Sequence, residues 1–86
     1  MKAIQKQNLI LNNTIINPDG FGSWKIYNYG TNPLIINDTI VLQSGEKYAV
    51  YLDWNVIFQT SINIRFDNSN NGTSRAALIK IYIEEW

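Results

Sequence analysis

Between Val56 and Asp67 the chain alternates, with Val56, Phe58, Thr60, Ile62, Ile64 and Phe66 on one side and Ile57, Gln59, Ser61, Asn63, Arg65 and Asp67 on the other. A period of two held over that length predicts a strand with one buried face. Just upstream, Tyr48, Val50, Leu52 and Trp54 alternate with Ala49, Tyr51 and Asp53, and Asn55 separates the two runs. This pair predicts a tight hairpin or one long strand bent by a bulge.

The remaining apolar runs are short and are punctuated by turn residues. Asn17-Pro18-Asp19-Gly20 closes Thr14-Ile15-Ile16, with Pro suited to the second turn position and Gly to the fourth. Gly30-Thr31-Asn32-Pro33 separates Trp24 to Tyr29 from Leu34-Ile35-Ile36, and Asn37-Asp38 turns the chain again. Ser44-Gly45-Glu46 divides the Thr39–Gln43 run from the Tyr48 strand by a gap of hairpin length. The polar stretch Asn68 to Ser74 predicts a loop. Ala76 to Trp86 then predicts a last strand, with Ile79, Ile81 and Ile83 on one face and Leu78, Tyr82 and Trp86 on the other. A strand apolar on both sides is central in its sheet or covered by another subunit. Residues 1–11 begin polar and unpatterned and end in Leu9-Ile10-Leu11, which suggests an extended N-terminal arm lying on a neighbour.

These segments predict an all-β chain: an antiparallel β-sandwich of seven to eight short strands, jelly-roll-like or immunoglobulin-like, formed by residues 1–86 as a single domain. The composition agrees, being rich in Ile, Asn and aromatic residues. At 86 residues the core is small, and with no cysteine no disulfide reinforces it, so burial against partner subunits is a natural source of added stability.

Charge and side-chain chemistry narrow the function. Seven basic residues balance seven acidic ones, without the basic excess expected for nucleic acid or an anionic membrane. The start has no apolar run followed by a small-residue cleavage site, and no stretch approaches a membrane span, so neither a secretory leader nor a transmembrane segment is expected. Without His or Cys the usual nucleophile systems and the usual zinc, haem and iron-sulfur ligands are missing. Carboxylate-pair catalysis among Asp38, Asp53, Asp67, Glu46, Glu84 and Glu85 needs a cleft that so small a core has little room to build. The reading is of a protein that is not an enzyme and needs no cofactor.

Asp67-Asn68-Ser69-Asn70-Asn71-Gly72 follows the order of a calcium loop, but Leu78 stands where the closing Glu belongs and only Asp67 is charged; a solvated loop is the better reading. Asn12-Asn13-Thr14, Asn37-Asp38-Thr39 and Asn71-Gly72-Thr73 match the N-glycosylation pattern, as expected by chance in so Asn-rich a chain. Trp24 shares a face with Ile26, and Trp54 with Leu52 and Val50, which places both in the core. Tyr27, Tyr29 and Tyr51 fall on opposite faces and, with Tyr82 and Trp86, are the candidate interface residues, since aromatics are enriched where proteins meet.

The run Trp24-Lys25-Ile26-Tyr27-Asn28-Tyr29-Gly30, continuing through Leu34-Ile35-Ile36-Asn37 and Leu42-Gln43-Ser44-Gly45-Glu46-Lys47-Tyr48, resembles small β-sandwich modules in virions of tailed bacteriophages. In those modules an aromatic strand, Asn-x-Gly, an apolar-Ile-Asn strand and Leu-x-x-Gly-Glu follow one another. The Asn-, Ile- and Tyr-rich, Cys-free style is similar to crAss-like phages. The resemblance covers roughly residues 21 to 66. It implies a virion structural component, a head fibre or capsid decoration subunit, localised to the virion and acting through contacts with its own copies and with capsid or other virion proteins. A carbohydrate-binding module using exposed aromatic residues is the alternative.

Overall fold

The computed structural model describes residues 2–53 and 56–84. It contains β1 (Lys2–Ile10), β2 (Thr14–Ile16), β3 (Trp24–Asn28), β4 (Leu34–Ile36), β5 (Ile40–Leu42), β6 (Lys47–Val50), β7 (Ile62–Phe66) and β8 (Ala76–Glu84), and no helix among the described residues. The strands form two antiparallel four-stranded sheets, ordered β1-β8-β3-β6 and β2-β7-β4-β5. The pairings are nested: β1 with β8, β2 with β7, β3 with β6 and β4 with β5. Lateral pairing of β3 with β8 and of β4 with β7 then completes each sheet. Eight strands nested and divided in this way are a jelly roll, which resolves the connectivity that strand patterning left open.

Alternation decides which side chains meet between the sheets. From the first sheet come Trp24 and Ile26 of β3 and Ala76 and Leu78 of β8; from the second come Leu34 and Ile36, Leu42, and Ile62, Ile64 and Phe66. Phe21, fully buried, plugs one end, its ring stacked on Phe58 and edge-on to Tyr82. Each fully buried Leu, Ile or Phe side chain contributes about 1.5–3 kcal/mol relative to exposure. Trp24 is buried as its spacing from Ile26 predicts, between Tyr48 and an edge-on Phe58. Trp54 and Trp86, for which the sequence predicts a core and an interface role respectively, lie outside the described residues.

Three expectations are corrected by the sheet arrangement. Ser44-Gly45 does turn the chain, with Gly45 at φ 84° and Glu46 N–H donating to Gln43 O at 3.0 Å. Yet it joins β5 in one sheet to β6 in the other, so it is a crossing and not a hairpin. Period-two alternation begins at Val56, but the strand begins at Ile62; Val56 and Ile57 are exposed and pair with no strand among the described residues. Residues 2–10, read as an arm on a neighbour, are instead the edge strand β1, paired along its whole length with the chain's own β8. The last strand is central, as its two apolar faces allow, but its core face carries Ala76, Leu78, Lys80 and Tyr82, leaving Ile79, Ile81 and Ile83 on the outside.

Asn37-Asp38 turns the chain as read, and the turn is a hairpin that closes β4 onto β5. Asn37 and Asp38 both take left-handed φ, 52° and 58°, and Thr39 N–H donates to Ile36 O at 3.1 Å. Asn and Asp are the non-glycine residues that reach this conformation most readily. β1 and β8, nine residues each, outrun the other strands, so Lys2–Gln5 and Ile81–Glu84 extend past β3 and give the molecule its 48 Å long axis.

Candidate functional site

The outward positions of the β1-β8-β3-β6 sheet form one surface, and the registers place its members side by side. Leu9, Ala77, Tyr27 and Lys47 make one row across the four strands; Gln7, Ile79, Lys25 and Ala49 make the next; Gln5 and Ile81, then Ala3 and Ile83, continue it along the ribbon. Leu9 is 59% exposed, and Ile79, Ile81 and Ile83 are half-buried with no sheet above them.

At one end of this surface Tyr27 and Tyr29 stack on each other, ring centroids 5.8 Å apart and planes 15° from parallel. Lys25 and Lys47 each place Nζ 5.9 Å from the Tyr27 ring, at the outer limit of a cation–π contact. Tyr27 is half-buried by these neighbours, while Tyr29 is 61% exposed. An aromatic pair of this kind is worth about 0.5–1.5 kcal/mol beyond its buried area. Ordered before any partner arrives, it sheds part of the rotamer entropy that docking otherwise costs.

What aims the pair is the residue between them. Asn28 points inward, fully buried, and its Nδ2 donates to Asn32 O and to Leu42 O, both at 2.9 Å, while its Oδ1 accepts from Gly30 N–H at 3.1 Å. The side chain thereby ties β3 to the end of β5 in the opposite sheet. Asn32, equally buried, donates to Asn68 Oδ1 at 2.8 Å and to Ser74 Oγ at 3.0 Å and accepts from Gly72 N–H at 2.9 Å. Gly30 lies so close to the loop before β8 that a Cβ would sit 2.3 Å from Thr73 O. Buried amides with every group matched fix a single arrangement of the loops at this end.

Of the five candidate interface residues, Trp86 lies outside the described residues and the four tyrosines separate in space. Tyr27 and Tyr29 come together. Tyr51, 78% exposed, shares their outer face by parity but sits past the far end of β6, opposite Ser23. Tyr82 lies on the inner side, half-buried against Phe21, with its hydroxyl donating to both carboxylate oxygens of Asp19, at 2.9 and 3.1 Å. Burial first, and the Asp19 hydrogen bond second, push its phenol above the ordinary tyrosine range. Lys80, almost buried, adds a 3.4 Å contact to Asp19 and lies 5.2 Å from the Phe21 ring centre, so this cluster fastens the Asn17–Gly20 turn to β8.

Sequence reasoning gave no role to Asn28, which it placed in the Trp24–Tyr29 strand, or to Asn32, which it read as a turn residue; for Asn28 the available signal was a strand position of inward parity occupied by an amide. It also missed Lys25 and Lys47, whose proximity to Tyr27 depends on the pairing of β3 with β6. In the loop of calcium-like order, Asp67 caps Ser69 N–H at 3.0 Å, a bond that holds its carboxyl below the usual carboxylate range, and Asn68 is taken up by Asn32 and Ser74. Among the described residues no three acidic side chains gather as a metal site would require. A depression of about 320 Å³ opens beside this loop, lined by Leu11, Asn12, Asn13, Phe66, Asn68 and Ser74. No family model, no curated protein sequence and no solved structure matches the chain.

Proposed function

We propose that the chain is a non-enzymatic structural subunit of a tailed-bacteriophage virion, a head fibre or capsid decoration protein that docks through the outer face of its β1-β8-β3-β6 sheet. The observation that carries this reading is the pre-stacked Tyr27–Tyr29 pair, flanked by Lys25 and Lys47 and continuous with exposed Leu9 and the Ile79, Ile81 and Ile83 row. Tyrosines and exposed apolar groups with lysines beside them match the composition of a protein-binding patch. The sequence resemblance over residues 21 to 66 and the use of jelly rolls in viral capsids support it at the level of fold analogy.

The test is proteomic and then mutational. Purified particles of the phage encoding the chain should contain its peptides at many copies per virion, and Tyr27→Ala with Tyr29→Ala should leave the chain folded but lower its occupancy on particles at least tenfold. Particles devoid of the chain sink the proposal; undiminished occupancy of the double variant moves docking to another face.

A carbohydrate-binding role has one observation in its favour, the amide-lined depression at Asn12, Asn13 and Asn68. Jelly rolls also serve as lectin domains. Glycan-array binding lost on substitution of Asn12 would favour that reading over the first.

A further inference from the structure

The edge of β1 carries an inference that stands apart from the virion reading. In an antiparallel strand each residue directs both its N–H and its C=O to one side, and neighbours alternate. Ile81 of β8 directs both groups toward the β3 side, its N–H donating to Ser23 O and its O accepting from Gly22 N–H, each at 2.9 Å. The even-numbered residues of β8 therefore face β1, and through the register Tyr82 with Ile4, Lys80 with Lys6 and Leu78 with Asn8 are the hydrogen-bonded pairs. It follows that Ala3, Gln5, Gln7 and Leu9 direct their backbone groups away from the sheet. All four are exposed, and the edge is the longest open one in the molecule.

Such an edge is a template for another strand. The sequence of β1 restricts which. Lys2 and Lys6 are its charged residues, and both have inward parity, so a two-fold centred on Lys6 would set Lys6 against Lys6 at the close spacing of a non-hydrogen-bonded pair, which is unfavourable. Centred on Gln5, self-pairing sets Ile4 against Lys6. Centred on Gln7, it sets Ile4 against Ile10 and Lys6 against Asn8, while the free backbone groups match as Gln5 with Leu9 and Gln7 with Gln7. That register is self-complementary, with no like charges opposed.

We infer that two copies of this chain pair antiparallel through β1 about a two-fold axis at Gln7, forming one continuous sheet ordered β6-β3-β8-β1-β1-β8-β3-β6. The contact is closed: it consumes the long edge of both copies and leaves the short β6 edges outermost. It also merges the two Tyr27–Tyr29 surfaces into one face.

The chain has no cysteine, so single substitutions give a clean reading. Gln7→Cys places two sulfurs on residues whose Cα atoms are about 5.5 Å apart in this pairing, within the roughly 4.4–6.8 Å that a disulfide spans. Mild oxidation of Gln7→Cys should yield a disulfide-linked dimer, whereas Gln5→Cys, displaced from its own copy, should not. Light scattering of the unmodified chain should give twice its 9.9 kDa mass. Gln7→Pro removes an N–H that serves only the open edge, a place where strands tolerate proline, and should give a folded monomer. Monomer at every concentration overturns the inference, as does preferential cross-linking at Gln5 or a Gln7→Pro chain that stays dimeric. None of those results touches docking through the tyrosine face, which the particle assay reads separately.

Discussion

Replacing Asn28 with alanine tests whether the buried amide network holds the tyrosine pair in place. The substitution removes the donors to Asn32 O and Leu42 O, while Gly30 N–H keeps its second acceptor, Arg75 O at 2.9 Å. Leu42 O keeps its place opposite Leu34 in the β4–β5 ladder, so Asn32 O is the carbonyl left without a donor, at an expected cost of about 1–3 kcal/mol. A domain of this size has a total stability of roughly 4–13 kcal/mol, at about 0.05–0.15 kcal/mol per residue, so Asn28→Ala removes a large share. Urea denaturation followed by tryptophan fluorescence reads it directly. With an m-value near the low end of the roughly 1–3 kcal/mol/M range, a loss of about 2 kcal/mol lowers the midpoint by about 2 M. Asn28→Asp separates hydrogen bonding from volume, because a carboxylate of the same shape faces two carbonyl oxygens. Its folded-state pKa is raised above the unfolded value, so its stability is greatest below pH about 4 and falls as pH rises through the folded pKa. A loss under about 0.5 kcal/mol for Asn28→Ala, or an Asn28→Asp chain indifferent to pH, would refute the reasoning.

Two further outcomes follow from the geometry. Tyr82 has a raised pKa, so its contribution is fully present below pH about 10 and is lost as pH rises through the folded value; Tyr82→Phe should cost about 0.5–1.5 kcal/mol at neutral pH and flatten the alkaline decline, as read by thermal melts across pH. Gly30→Ala drives a Cβ into Thr73 O and Arg75 N, backbone atoms that cannot turn aside, and should destabilise by at least about 2 kcal/mol in chemical denaturation, against a near-neutral change at an ordinary surface position.

What the sequence disclosed and what it hid divide along a physical line. The core parity of Ile62, Ile64 and Phe66, and of Trp24 with Ile26, was legible because pleating ties side-chain direction to position number. The Asn37-Asp38 turn was legible because left-handed backbone selects its residues. Ser44-Gly45 carries the same local chemistry, yet joins two sheets, because a turn residue encodes the bend and not the destination. Alternation at Val56 to Thr60 stayed without a strand for a related reason: a ladder needs a neighbour, and the neighbour is set by long-range topology. The face of β8 was hardest, since its core side mixes Ala76 and the nearly buried Lys80 with Leu78, while its outer side holds three isoleucines. Hydropathy alone ranks those faces in the wrong order. Of the candidate interface, Tyr27 and Tyr29 were read correctly as outward residues, but their mutual stacking and the lysines beside them depend on strand pairing.

The nested pairing of β4 with β5 inside β3 with β6, inside β2 with β7, inside β1 with β8 prescribes an order of assembly. Only the innermost pair closes a short loop; each outer pair joins segments farther apart, and its closure entropy is reduced once the pair within it has formed. Folding should therefore advance from the middle of the chain toward its ends, slowly for its length because most contacts are non-local. The last step sets Lys2 beside Glu84, bringing the two ends of the described strands to the same pole of the molecule. A short covalent link between those ends would turn the outermost closure from the last and most distant into a local one, and the chain should then refold faster with its sheets unchanged.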